Sequence, residues 1–138
     1  MEYSKGTYKI GAIVVVYNPN TDLLKNCIAS LVSQVDCVCV VDNSAFDNSA
    51  VLSTLGDNIH YIPLLQNKGI AAAQNFGIKF FCEKAYDFVI FSDQDSVSST
   101  SLIRNIVEAY FVLSKETNIA CIGPMPINRK TGLPYIYE

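Results

Sequence analysis

The chain has 138 residues, 50% of them apolar and 17% charged, with a formal net charge of −3 and an isoelectric point near 5.0. Its length suits one ordinary domain and its composition excludes disorder. The acidic balance argues against a nucleic-acid partner, which needs a basic face. No apolar run approaches the roughly 20 residues that span a bilayer, so a peripheral contact is the only membrane mode left.

The elements alternate along the chain. Ile10 to Tyr17 is a continuous apolar run and predicts a first strand. Asn18-Pro19-Asn20-Thr21 supplies a turn with capping residues, and Leu24, Cys27, Ile28, Leu31 and Val32 then share one helical stripe. Val38 to Val41 predicts a second strand, stopped by Asp42-Asn43-Ser44, and a short helix is expected over Ser49 to Leu55. Ile59 to Pro63 reads as a weaker strand near an edge. Asn67-Lys68-Gly69 opens a helix with Ile70, Ala73, Gln74, Gly77, Ile78 and Phe81 on one face. Phe88 to Phe91 reads as a strand buried on both faces, ending at Asp93. Ser99 or Thr100 is expected to cap a helix carrying Ile103, Ile106, Val107 and Tyr110, and Ile119 to Gly123 is expected to be a last strand. After Pro124 the chain turns polar and irregular. Strands alternating with helices imply right-handed crossovers and a mostly parallel sheet between two helical layers, a three-layer α/β/α fold.

Cysteines stand at 27, 37, 39, 82 and 121, mostly inside apolar segments. Their odd number, with no secretory signal at the N-terminus, predicts reduced, buried thiols and a cytoplasmic location. Cys37 and Cys39 would share one face of a strand. With no further Cys or His ligand close by in sequence, a zinc site is not expected there.

Polar clusters follow three of the predicted strands: Tyr17-Asn18-Pro19, Asp42-Asn43-Ser44 and Asp93-Gln94-Asp95. A parallel sheet brings such strand ends to one edge, where ligands bind. Two carboxylates one residue apart suit a hard divalent cation and, through it, phosphate oxygens. Lys68, beside a helix entrance, favours an anion. Each cluster also has a plain reading. Asp42-Asn43-Ser44 serves as well as a turn and cap, Asn67-Lys68-Gly69 as a turn with a solvated lysine, and Asp93-Gln94-Asp95 as a cap for the next helix. His60 reads as a surface or packed histidine rather than a catalyst.

The series Val14 to Pro19 (VVVYNP), Val40 to Ser44 (VVDNS), Asn67 to Ile78 (NKGIAAAQNFGI) and Asp93 to Ser96 (DQDS) resembles glycosyltransferase family 2. Within it the chain looks most like the bacterial rhamnosyltransferases. Order, spacing and strand placement agree over about residues 8 to 130. The resemblance implies a Rossmann-like GT-A fold that binds a nucleotide-diphospho-sugar donor, with a saccharide or lipid-linked saccharide as acceptor. By position, Tyr17, Asn18 and Pro19 would line the base pocket, and Asp42 would accept hydrogen bonds from base or ribose. Asn67, Lys68, Gly69 and Asn75 would lie near ribose and diphosphate. Asp93 and Asp95, flanking Gln94, match the family's Asp-x-Asp motif, which holds Mn²⁺ or Mg²⁺. Asp95 would be the direct ligand, and Asp93 would stand closer to ribose or sugar. The implied reaction inverts the anomeric centre, and the implied location is cytoplasmic, including the inner face of the cell membrane.

Two departures stand out. Gln74 replaces the arginine that many relatives carry, in keeping with the rhamnosyltransferase-like branch. Family members are also considerably longer, so the chain is expected to be a single donor-binding domain over residues 1–138, the N-terminal part of a longer enzyme. No acceptor-side base emerges: Glu108 and Glu116 fall in or after a helical segment, and Glu138 is the last residue. Two other readings stay open. One is a non-catalytic nucleotide-binding or interaction domain on the same fold. The other is a haloacid dehalogenase-type phosphatase, against which Ser96 stands where a glycine is usual. An oxidoreductase is disfavoured, because no Gly-x-Gly-x-x-Gly follows the first strand.

Overall fold

The computed structural model describes residues 7–125, 127 and 131–134. The chain divides between Thr100 and Ser101 into two units. The larger one carries strands β1 (Ile10–Val16), β2 (Cys37–Asp42), β3 (Ile59–Pro63) and β4 (Phe88–Asp93), and helices α1 (Thr21–Val32), α2 (Ser49–Leu52) and α3 (Ile70–Glu83). The second carries α4 (Leu102–Leu113).

All strand pairs are parallel, in the order β3-β2-β1-β4. The chain walks outward from β1 to β3, then returns through α3 to the other side of β1. Strand order therefore reverses between β1 and β4, and the register there sets Val14 beside Ser92 and Val15 beside Asp93. β1, and β2 up to Asp42, are apolar because both their faces are covered: Ile10, Ala12, Ile13, Val14, Val38, Cys39, Val40 and Val41 are all buried.

One face is covered by α3. Its Ala73 and Phe81 pack with Ile13, Cys39 and Val41. The fit depends on two glycines. A methyl at Gly11 would collide with the Phe81 ring, and one at Gly77 would stand 2.8–2.9 Å from Ile13 side-chain carbons. Burying a ring such as that of Phe81 contributes about 1.5–3 kcal/mol. The opposite face, that of Val14 and Ser92, is covered by α1, which buries Leu24, Cys27, Ile28 and Leu31. α1 begins where it does because Asn20 accepts from the N–H groups of Asp22 and Leu23 at 3.0 and 3.1 Å. The result is the expected three-layer α/β/α arrangement.

Several expectations need correction. β4 is not buried on both faces; Phe91 is half exposed. Phe91 sits beside Ile13, on the α3 side, but α3 packs over β1 and β2, so the aromatic lies beyond its cover. Residues 119–123 form no strand. A strand needs a partner for its backbone groups, and among the described residues none pairs with this segment. α2 stops at Leu52 rather than Leu55. The residue at the head of α4 is Ser101, not Ser99 or Thr100, and its side chain makes no capping bond. The thiols are not uniformly buried. Cys27 and Cys39 are, Cys37 is intermediate, and Cys82 and Cys121 are exposed; all five are free.

In the second unit, the least exposed side chains of α4 are Ile103 and Val107, and Arg104 pairs with Glu108 at 2.8 Å. Ile127 and Pro134 form an antiparallel bridge. Glu138 lies outside the described residues.

Candidate functional site

The carboxyl ends of β1, β2 and β4 and the entrance of α3 are joined by side-chain hydrogen bonds. After β1, Tyr17 is 49% exposed. Asn18 takes a left-handed backbone with φ 43°, a conformation asparagine tolerates better than most residues. Its N–H donates to Ser44 Oγ at 2.8 Å, and Asn43 N–H donates to Val16 O at 2.7 Å. The β1 and β2 ends are thus pinned together, with Pro19 half buried behind them.

Asp42, the last residue of β2, is closed to solvent. A buried carboxylate is costly unless hydrogen-bonded, and this one is well supplied. Oδ1 accepts from Ser44 N–H at 2.9 Å, and Oδ2 from Tyr61 Oη at 2.6 Å and Asn48 Nδ2 at 2.7 Å. Burial acts to raise its pKa, but the bonds from Ser44, Tyr61 and Asn48 outweigh it and leave the net shift downward. Asp42 is therefore anionic.

Asn43, 3% exposed, faces the loop before α3. Its Nδ2 donates to Asn67 Oδ1 at 2.9 Å, and its Oδ1 accepts from Lys68 N–H at 2.7 Å. Gly69, the N-cap, has φ 83° and ψ 156°, a region reserved for glycine. Because glycine offers no capping side chain, the first N–H groups of α3 stay open at the positive end of the helix dipole. Lys68 Nζ rests 5.6 Å from the centroid of the Phe76 ring rather than on a carboxylate.

At the end of β4, Gln94 turns inward. Its Oε1 accepts from Tyr17 N–H at 2.8 Å and its Nε2 donates to Tyr17 O at 3.4 Å. Asp93 and Asp95 are exposed, and neither carboxylate bonds to another described residue. Beneath them Cys27 Sγ donates to Asp93 O at 3.2 Å, and Ser96 N–H closes a turn on the same oxygen.

Among the described residues no three His, Cys, Asp or Glu side chains gather as a metal cage. Two free carboxylates one residue apart are nonetheless the donor set for Mg²⁺ or Mn²⁺ held jointly by one or two carboxylates, water and substrate phosphates. Asp93 and Asp95 fit such an ion on chemistry.

The structure thus brings Tyr17, Asn18, Asp42, Asn67, Lys68, Gly69 and Gln94 into one bonded rim, with Asp93 and Asp95 at its β4 end. Asn75 is exposed on the side of α3 away from Ala73, Gly77 and Phe81, and no hydrogen bond ties it to the rim. His60 stacks on Phe80 with centroids 4.0 Å apart, a packing role. Sequence reasoning named Asn43 only as part of the Asp42-Asn43-Ser44 cluster, and it missed Asn48, Tyr61 and Cys27 as supports. Only Tyr61 carried a signal, as a polar-tipped aromatic placed beside Val40 in a neighbouring strand.

A parallel α/β sheet whose strand order reverses beside an acidic turn, with a donor-rich helix entrance nearby, has the architecture of a nucleotide-diphospho-sugar transferase of the GT-A type. The chain matches the family "Glycosyl transferase family 2" over residues 12–135 and belongs to it. It is similar to the dTDP-rhamnosyl transferase RfbF of Shigella flexneri, 37% identical over 122 residues, which covers 87% of this chain and 39% of that protein. The chain therefore spans well under half the length of this curated relative.

Proposed function

We propose that residues 1–138 act as one nucleotide-sugar-binding domain that holds the donor of an inverting glycosyl transfer. The observation that carries this is the Asp93-Gln94-Asp95 turn, its two carboxylates free and its amide bonded to Tyr17 across the reversal of strand order.

In this reading Tyr17, Asn18 and Pro19 flank the base, and Asp42, closed to solvent, supports the loop behind base and ribose through Ser44 and Asn48 rather than bonding them directly as the sequence suggests. Asn67, Lys68, Gly69 and Asn75 lie toward ribose and diphosphate, and Gln94 sets the spacing between the β1 and β4 loops. Asp93 and Asp95 hold Mn²⁺ or Mg²⁺, which when bound neutralises charge on the leaving diphosphate as a Lewis acid. Lys68 and the α3 entrance add to that field. An acceptor hydroxyl attacks the anomeric carbon as the bond to the diphosphate oxygen breaks, and its proton passes to a base on the acceptor side.

The named relative supports dTDP-rhamnose as the donor, and Gln74, a neutral amide, is in keeping with that branch. The acceptor is a saccharide, free or lipid-linked. No helix among the described residues is long and apolar enough to cross a membrane, and we place the protein in the cytoplasm, in contact with the inner face of the membrane where the acceptor is lipid-linked.

Thermal unfolding against nucleoside diphosphates and nucleotide sugars, with and without Mn²⁺, tests the reading, because a ligand of the native state must raise the midpoint. Asp95→Ala is expected to abolish the Mn²⁺-dependent part of the shift and leave the fold intact. An equal shift in the variant removes Asp95 from the metal site, and no shift with any nucleotide overturns the reading.

A further inference from the structure

We propose that Asn43 is the positioning residue that makes the α3 entrance competent for a diphosphate, acting through Asn67. The inference rests on the donor-binding reading above. Asn43 itself is nearly closed to solvent and touches the loop, not the space outside it.

Two backbone N–H groups decide how both amides face. Lys68 N–H donates to Asn43 at 2.7 Å, so that atom is the oxygen and the other arm of Asn43 is the NH₂, which meets Asn67 at 2.9 Å. Gly69 N–H donates to Asn67 at 2.9 Å, to the same oxygen that Asn43 reaches. Asn67 therefore cannot rotate its amide without giving up two bonds. Its own NH₂ is turned outward and has no partner among the described residues.

The groups set out around this point are of one kind: the Asn67 NH₂, the Lys68 ammonium and the open N–H groups of the first turn of α3, whose N-cap has no side chain. All are donors or cations and none accepts. A phosphoryl group is the complementary ligand, since it offers acceptors and negative charge only. Asn43 N–H also donates to Val16 O at 2.7 Å. The residue thus references this donor set to the end of β1 through its main chain and to α3 through its side chain.

The test measures binding of dTDP against dTMP, and UDP against UMP, to the wild-type chain, Asn43→Ala, Asn67→Ala and the double variant. In Asn43→Ala the diphosphate is expected to weaken about tenfold, on the scale of one lost hydrogen bond to an ionised group. The monophosphate should weaken much less, so that the preference for diphosphate narrows. A purely structural role would weaken both nucleotides alike. Asn67→Ala, a change at an exposed position, should reproduce the effect, and the double variant should be no worse than either single one, because both remove one device. Equal loss for diphosphate and monophosphate, or additive losses in the double variant, overturns the proposal while leaving donor binding standing. Should Asn43→Ala not fold, Asn67→Ala decides alone: an unchanged diphosphate preference overturns the proposal. A wild-type chain that binds none of the four nucleotides overturns the donor-binding reading and this inference with it.

Discussion

The Tyr61 hydroxyl donates to Asp42 Oδ2 at 2.6 Å, so an edge strand holds the carboxylate at the end of its neighbour. The same hydroxyl accepts from Asn48 N–H at 2.9 Å, which ties the start of α2 into the arrangement. Asp42 is a charged group closed to solvent, and Ser44, Tyr61 and Asn48 supply its hydrogen bonds.

Tyr61→Phe removes one bond to a buried ionised group, and a loss of about 1.5–3 kcal/mol is expected in chemical denaturation at neutral pH. The pH dependence has a definite sign. The folded pKa of Asp42 lies below the ordinary 3.8, so its contribution is whole above that value and fades as pH falls through the lower folded one. The Tyr61 bond is one of those that lower the folded pKa, so Tyr61→Phe should raise it, and the gap between wild type and variant should narrow as pH falls through the acidic range in which Asp42 takes up its proton. A gap independent of pH down to unfolding would show that the bond does not depend on the charge.

Gly77→Ala should destabilise, although alanine is the better helix former by about 1 kcal/mol. The added methyl would lie 2.8 Å from Ile13, and crowding of a packed core costs about 1–3 kcal/mol. Urea denaturation of Gly77→Ala alone and with Ile13→Val checks this, the second change restoring part of the loss. A stabilised single variant would mean that α3 is free to move off the sheet.

Gln94→Ala should cost about 0.5–1.5 kcal/mol and, more tellingly, expose the Tyr17 N–H. Hydrogen exchange at Tyr17 is expected to accelerate in the variant, while amides in the middle of β1 keep their protection. Unchanged exchange at Tyr17 would remove Gln94 as the link between the two loops.

The thiols should react in order of burial. Cys82 and Cys121 are exposed and should be modified rapidly in the native chain. Burial raises the Cys27 thiol, and burial with the neighbouring Cys37 pushes Cys39 up to about 12. Both should resist a thiol reagent until denaturant is added, even at alkaline pH. Rapid native labelling of Cys39 would contradict the packing of α3 on β2.

The strands β1 and β2 were legible in the sequence because being covered on both sides leaves an uninterrupted apolar run, a pattern few other environments produce. α1 and α3 were legible from their stripes and from Asn20 and Gly69 at their heads. β4 was read correctly in span but wrongly in burial, since the sequence records that Phe91 is apolar, not how far α3 reaches. Residues 119–123 misled for a related reason: an apolar run states a capacity to pair, and pairing needs a partner that no local pattern reveals.

The sequence by itself determined the alternation of strands and helices, the acidic turn after β4 and the donor-rich entrance to α3, because period, charge and backbone freedom are properties of neighbouring residues. Only the tertiary structure decided that Gln94 spends its amide on Tyr17, that Tyr61 and Asn48 secure Asp42, and that Asn43 turns the Asn67 amide outward. Those bonds join residues 6 to 77 positions apart, and a hydrogen bond forms where folding places donor and acceptor within about 3 Å, a distance that order along the chain does not encode.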